Sequence, residues 1–157
     1  MSDSAQQSRP GLFWSLLAVQ LACAGTLFWK ILPVFRAIVR HPGQMQNVPA
    51  SEQAIAVAAV VIAQCCYWYR LSRVAVPDMP DNAVGEHLLL FAGRVSFIFG
   101  SALFSVVFFH HVPSIVDGPD MLHRLFRAGL IIAVMFTLFC CALEIERLGR
   151  AMGTRDH

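Results

Sequence analysis

Four long apolar stretches fill most of this chain, and the few polar residues inside them fall at matched depths. A hydrocarbon core about 30 Å thick is crossed by roughly 20 helical residues, and the stretches 12–32, 54–71, 88–109 and 125–145 each approach that length. In lipid such segments satisfy their backbone polar groups only as helices or closed barrels. Apolar runs of this length, without strand-like alternation, predict helices. The expected fold is therefore all-α: an integral membrane, up-down bundle of four transmembrane helices, forming a single domain over residues 1–157.

Composition leaves little room for anything else. The chain is 57% hydrophobic and 14% charged, with a mean hydropathy of +0.59, values of a protein whose main solvent is lipid. A formal net charge of +2 supplies no basic surface for nucleic acid. The second and fourth stretches have the shortest uninterrupted apolar runs, 54–69 and 128–143, and need bilayer thinning or snorkelling flanks to reach both interfaces.

Aromatic rings favour the headgroup layer. Trp14 and Trp29 bracket the first helix, and Tyr67, Trp68 and Tyr69 close the second beside Arg70. Pro33 follows Lys30, so residues 30–40 either continue the first helix past a kink or lie along the interface with Arg36 and Arg40 on one face. The polar start of the chain, with Asp3 and Arg9, lacks the short apolar core and small-residue cleavage site of a removable signal peptide.

Four crossings put both termini on one side. Arg9, Arg70, Arg73, Arg147, Arg150 and Arg155 gather there, against Lys30, Arg36, Arg40, Arg124 and Arg127 opposite. That slight excess places the termini in the cytoplasm under the positive-inside rule, and the expected location is a bacterial inner membrane. The connections, about 33–53, 72–86 and 110–119, are too short for a further domain. Pro77, Asp78, Pro80, Asp81 and Asn82 make the second one turn-rich, and the run from Asp117 to Asp120 is expected to cap the fourth helix.

Counting inward from the terminal side at about 1.5 Å per residue places Gln20 near 12 Å, Gln64 near 9 Å, Arg94 near 10 Å and Glu144 near 5 Å. Each helix thus contributes one polar side chain near one level. An intramembrane arginine costs about 2.5–3.5 kcal/mol or more at the bilayer centre, less when it snorkels, so Arg94 is expected to face protein or water, with Glu144 as its partner. The layer reads first as hydrogen bonding that holds the bundle together. An ion, proton or quinone-headgroup site is the functional alternative, weakened by the lack of a second midspan carboxylate, and a contact to another subunit is the third.

The five cysteines lie in the same leaflet or close to its inner edge: Cys23, Cys65, Cys66, Cys140 and Cys141. Thiolates suit soft metals such as Cu(I), and Cys65, Cys66, Cys140 and Cys141 are the candidate thiol site. Adjacent cysteines nevertheless point about 100° apart on a helix and lack common zinc spacing, so packing is the leading reading. Small residues spaced by four, Ala18 with Ala22, Ala54 with Ala58, Ala59 with Ala63 and Ser96 with Gly100, with Gly93 a further turn along, permit close helix approach within the chain or to a partner.

At the opposite interface stand His110, His111 and His123, with His41, Met45 and Met121 nearby. Imidazole and thioether can ligate copper, and imidazole can bind zinc or haem iron, so these three histidines are the candidate metal or haem rim. No recognised spacing links them, and no cofactor is predicted; haem or copper is the alternative. His87 sits alone at the other end of the third helix.

No nucleophile with a base, phosphate-binding glycine loop or acidic metal cluster is present, which disfavours an enzyme. The leading expectation is an accessory or assembly subunit of a larger inner-membrane complex, partnered by other membrane subunits or by copies of itself. A redox protein using the histidine rim and a small oligomeric transporter or channel are the alternatives.

Overall fold

The structure is a computed structural model that describes residues 10–41, 49–116 and 120–153, without the side chains of 111, 113–116 and 123. Among the described residues the chain forms four α-helices: α1 (Pro10–Arg40), α2 (Ala50–Arg73), α3 (Ala83–Val116) and α4 (Met121–Gly153). Each contains a segment long and apolar enough to cross a membrane. The shortest, α2, has 24 residues and extends about 36 Å at 1.5 Å per residue.

All four helices outrun their apolar stretches, because helix propagation ends at stop signals rather than where hydrophobicity falls. Pro33 lies inside α1, which continues to Arg40, so the helical continuation expected as one of two alternatives is the one formed. Most of the connection expected at 110–119 is also helix, since α3 runs on to Val116, just before Asp117, Gly118 and Pro119. Local chemistry sets the starts. Pro10 occupies the first position of α1, where a missing N–H loses no intrahelical bond. The Asn82 side-chain oxygen accepts from the Gly85 N–H at 3.0 Å, capping α3. The Arg124 N–H donates to the Asp120 carbonyl at 3.1 Å and closes the first turn of α4, whereas the rest of the expected cap, residues 117–119, lies outside the described residues.

Packing pairs α3 with α4 and α1 with α2 most extensively, and α2 and α4 join the two pairs. Gly93 and Gly149 permit close backbone approach in the α3–α4 seam. A Cβ on Gly93 would sit 3.2 Å from the Ala142 carbonyl oxygen, and one on Gly149 would sit 3.2 Å from that of Glu86.

Two apolar clusters divide the interior. One joins Ala24, Leu27, Ala59, Val60, Phe104, Val134, Leu138 and Cys141 across all four helices. The other, toward the terminal end, joins Phe13 and Leu17 of α1 to Leu148 of α4 and to Val74 and Met79 of the α2–α3 connection. That connection folds inward over the bundle end, and its residues Val74 and Met79 are buried. Between the clusters lies the polar interior.

Candidate functional site: a buried polar clamp

Helix periodicity brings the polar residues inward. On α2, Ala59, Ala63, Tyr67 and Arg70 are all buried, and their spacing of four, four and three makes one face. On α4, Thr137, Cys140, Cys141 and Glu144 are buried in the same way. Gln20 supplies the α1 contribution and is only 1% exposed.

Arg70 is the hub. Its Nη2 donates to Gln20 Oε1 at 2.6 Å and lies 3.2 Å from Glu144 Oε2. The guanidinium carbon stands 5.1 Å from the centre of the Phe13 ring, a cation–π contact that also seals one side of the charge. Arg147 Nη1 approaches the other Glu144 oxygen at 3.6 Å. Gln20 donates in turn from Nε2 to Cys141 Sγ at 3.3 Å, so one chain of polar contacts ties α1, α2 and α4. The ion pair is close without being an aligned hydrogen bond: Glu144 Oε2 and Arg70 Nε and Nη1 are buried without hydrogen-bond partners among the described residues.

A second contact lies about two turns from the first along α2. Gln64 Nε2 donates to Thr137 Oγ1 at 3.1 Å, and that hydroxyl donates to the Ala133 carbonyl at 2.8 Å. Cys140 Sγ stands 3.8 Å from the same Gln64 nitrogen. Gln64 Oε1 is buried without a hydrogen-bond partner among the described residues.

The structure joins Gln20 and Glu144 through Arg70 and sets Gln64 apart on Thr137, and the expected pairing of Arg94 with Glu144 is corrected: Arg70 takes that carboxylate. Arg94 is exposed on α3. The physical reason is azimuth. Gly93 faces the α4 backbone, and the next residue is turned about 100° away from the seam. Sequence reasoning missed Arg70 because its neighbours Trp68 and Tyr69, both exposed, marked an interface. The inward stripe from Ala59 through Tyr67 was the signal that could have found it.

The cysteines spread over both environments: Cys65 is exposed, Cys23 and Cys66 are half-buried, Cys140 and Cys141 are buried, and all five are free thiols. Among the described residues no group of three or more His, Cys, Asp or Glu side chains could hold a metal ion. His110 is half-buried on α3, while the side chains of His111 and His123 lie outside the described residues. At the other end of α3, His87 Nδ1 lies 2.7 Å from the Ala83 carbonyl within its own helix.

Chemically, the cluster can hold three helices in one register. Arg70 and Glu144 are enclosed, with Phe13, Leu17, Val74, Met79 and Leu148 on the terminal side and the larger apolar cluster on the other, while the Arg147 side chain is 36% exposed. Comparison with family models, with curated proteins and with solved structures returns no match.

Proposed function

We propose that this protein is a non-catalytic accessory or assembly subunit of a larger complex in a bacterial inner membrane, with its four helices crossing the bilayer up and down. The observation that carries this reading is Arg94. It is exposed on α3 beside Phe91 and Ile98, which are 66% and 62% exposed, and no described residue pairs with it. A charge on an apolar outer face is costly in lipid unless it snorkels or meets a partner. A neighbouring membrane subunit offering a carboxylate or carbonyl oxygen would satisfy it.

Outward-facing small residues support the same reading. Ala18, Ala22 and Gly25 on α1 and Ala54 and Ala58 on α2 are exposed, so these stripes are not consumed by internal packing and suit close approach of another helix. The enclosure of the Arg70–Glu144 cluster between apolar ends favours a structural role for it over a transport path through one copy of the chain.

The test is quantitative mass spectrometry of the protein extracted from its native membrane in mild detergent, comparing wild type with Arg94→Leu. A stoichiometric membrane partner that is lost in the variant is expected. Arg94→Leu removes an insertion penalty, so its helix content and yield should hold. A variant that retains every partner, or a wild type that has none, overturns the reading.

A further inference from the structure

A cavity of about 440 Å³ lies between the helices at the end opposite the Arg70 cluster, with residues from all four helices in its wall. Its volume falls within the roughly 300–1,000 Å³ of small-molecule sites. The lining is graded along the helices. Leu27, Phe104 and Val134 line it and are almost fully buried, whereas Lys30, Glu52 and Arg127, also in the lining, stand nearer the helix ends and are half-buried. Leu27 lies one turn inside Lys30, and Val134 two turns inside Arg127.

Charge at the mouth is unbalanced. Lys30 Nζ and Glu52 Oε2 form an ion pair at 2.9 Å, which neutralises both. Arg127 has no acceptor among the described residues. Among the described lining residues, two cations and one carboxylate therefore leave one positive charge above an apolar interior. A neutral apolar guest would leave that guanidinium unused, and a small free anion would leave the apolar interior unfilled.

We infer that this cavity binds an anionic amphiphile, an apolar chain in the interior with an acidic head group, carboxylate or phosphate, at Arg127. Arg127 supplies the charge-assisted hydrogen bonds to the head group. The Lys30–Glu52 pair narrows the mouth and limits how much positive charge the ligand meets. The inference rests on the membrane reading only for the ligand's source, a bilayer lipid or a free fatty acid.

Trp29 lines the cavity and provides a reporter. The other two tryptophans lie toward the opposite end, with Trp14 against Phe13 and Trp68 near the end of α2. The experiment uses the full chain carrying Trp14→Phe and Trp68→Phe in non-ionic detergent, titrated with dibromostearate, a brominated phosphatidylglycerol and a brominated phosphatidylcholine. Saturable quenching of Trp29 by an acidic probe, with phosphatidylcholine much weaker, is expected. Binding by the fatty acid alone assigns a free acid as ligand, and binding by phosphatidylglycerol alone assigns a bilayer lipid.

Arg127→Gln should weaken the acidic probe by roughly tenfold, the loss expected for one charge-assisted hydrogen bond, and Arg127→Lys should restore part of it. Glu52→Gln frees Lys30 and should tighten binding. Ala56→Phe narrows the cavity and should abolish saturation with every charge intact, which keeps the test decisive if Arg127→Gln fails to fold. Non-saturable quenching, equal quenching by phosphatidylcholine, or full binding by well-folded Arg127→Gln and Ala56→Phe proteins overturns the inference. These measurements use pure protein, so they stand or fall separately from any partner subunit.

Discussion

Arg70 Nη2 lies 3.2 Å from Glu144 Oε2, with the arginine 0% and the glutamate 2% exposed. Breaking such a pair from one side leaves a charge buried without compensation, which costs about 3–5 kcal/mol, whereas replacing both partners by apolar residues is often neutral or stabilising. Glu144→Leu and Arg70→Leu should each lower the unfolding free energy by an amount of that order, and the double variant should lose clearly less than the sum. A double-mutant cycle from SDS-induced unfolding in detergent reads the coupling; additive losses would remove the pair from the account of stability.

The Gln64–Thr137 contact should be worth less. Interhelical hydrogen bonds in membrane proteins average about 0.6 kcal/mol and reach about 1.7 kcal/mol. Thr137→Val keeps the shape and removes the hydroxyl that accepts from Gln64, and a loss within that range is expected in the same unfolding assay. A loss as large as that of Glu144→Leu would mean that the two polar contacts act as one network.

Glycine should separate inner from outer faces. A methyl at Gly93 would press on the Ala142 carbonyl oxygen, while a methyl at Gly25 meets nothing within 4 Å. Gly93→Ala should destabilise by about 1–3 kcal/mol through overpacking. Gly25→Ala should stabilise the isolated chain by up to about 1 kcal/mol through helix propensity. Thermal unfolding of the two variants in one detergent checks both signs.

Leu148 belongs to the cluster that closes the terminal side of the Arg70 site. Leu148→Ala should cost about 2–5 kcal/mol, and loss of the closure should speed amide hydrogen exchange around Gln20 and Glu144. Leu143, 39% exposed on the same helix, provides the control: Leu143→Ala should leave exchange at those positions unchanged.

Much of the polar interior was legible as depth. Counting residues inward singles out Gln20, Gln64 and Glu144; the structure joins Gln20 and Glu144 through Arg70 and sets Gln64 on Thr137, about two turns away along α2. Arg94 shows what counting omits: Gly93 beside it packs on Ala142 and Glu146, but the direction of Arg94 around the helix is not fixed by counting. Tyr67 makes the same point within an aromatic run, being buried while Trp68 and Tyr69 are exposed. The cavity beneath Arg127 had no sequence signal, because residues from four helices build it.

The sequence by itself determined four apolar helices and the spacing of the polar residues along each, because hydrophobic run length and a fixed rise per residue are local quantities, whereas the helices end outside those runs. Only the tertiary structure decided that Arg70 rather than Arg94 meets Glu144 and that the α2–α3 connection closes over the pair. Those outcomes depend on how each helix is rotated about its axis. Rotation is set by contacts such as Gly93 on the α4 backbone and Val74 against the bundle end, which exist only once the helices have packed.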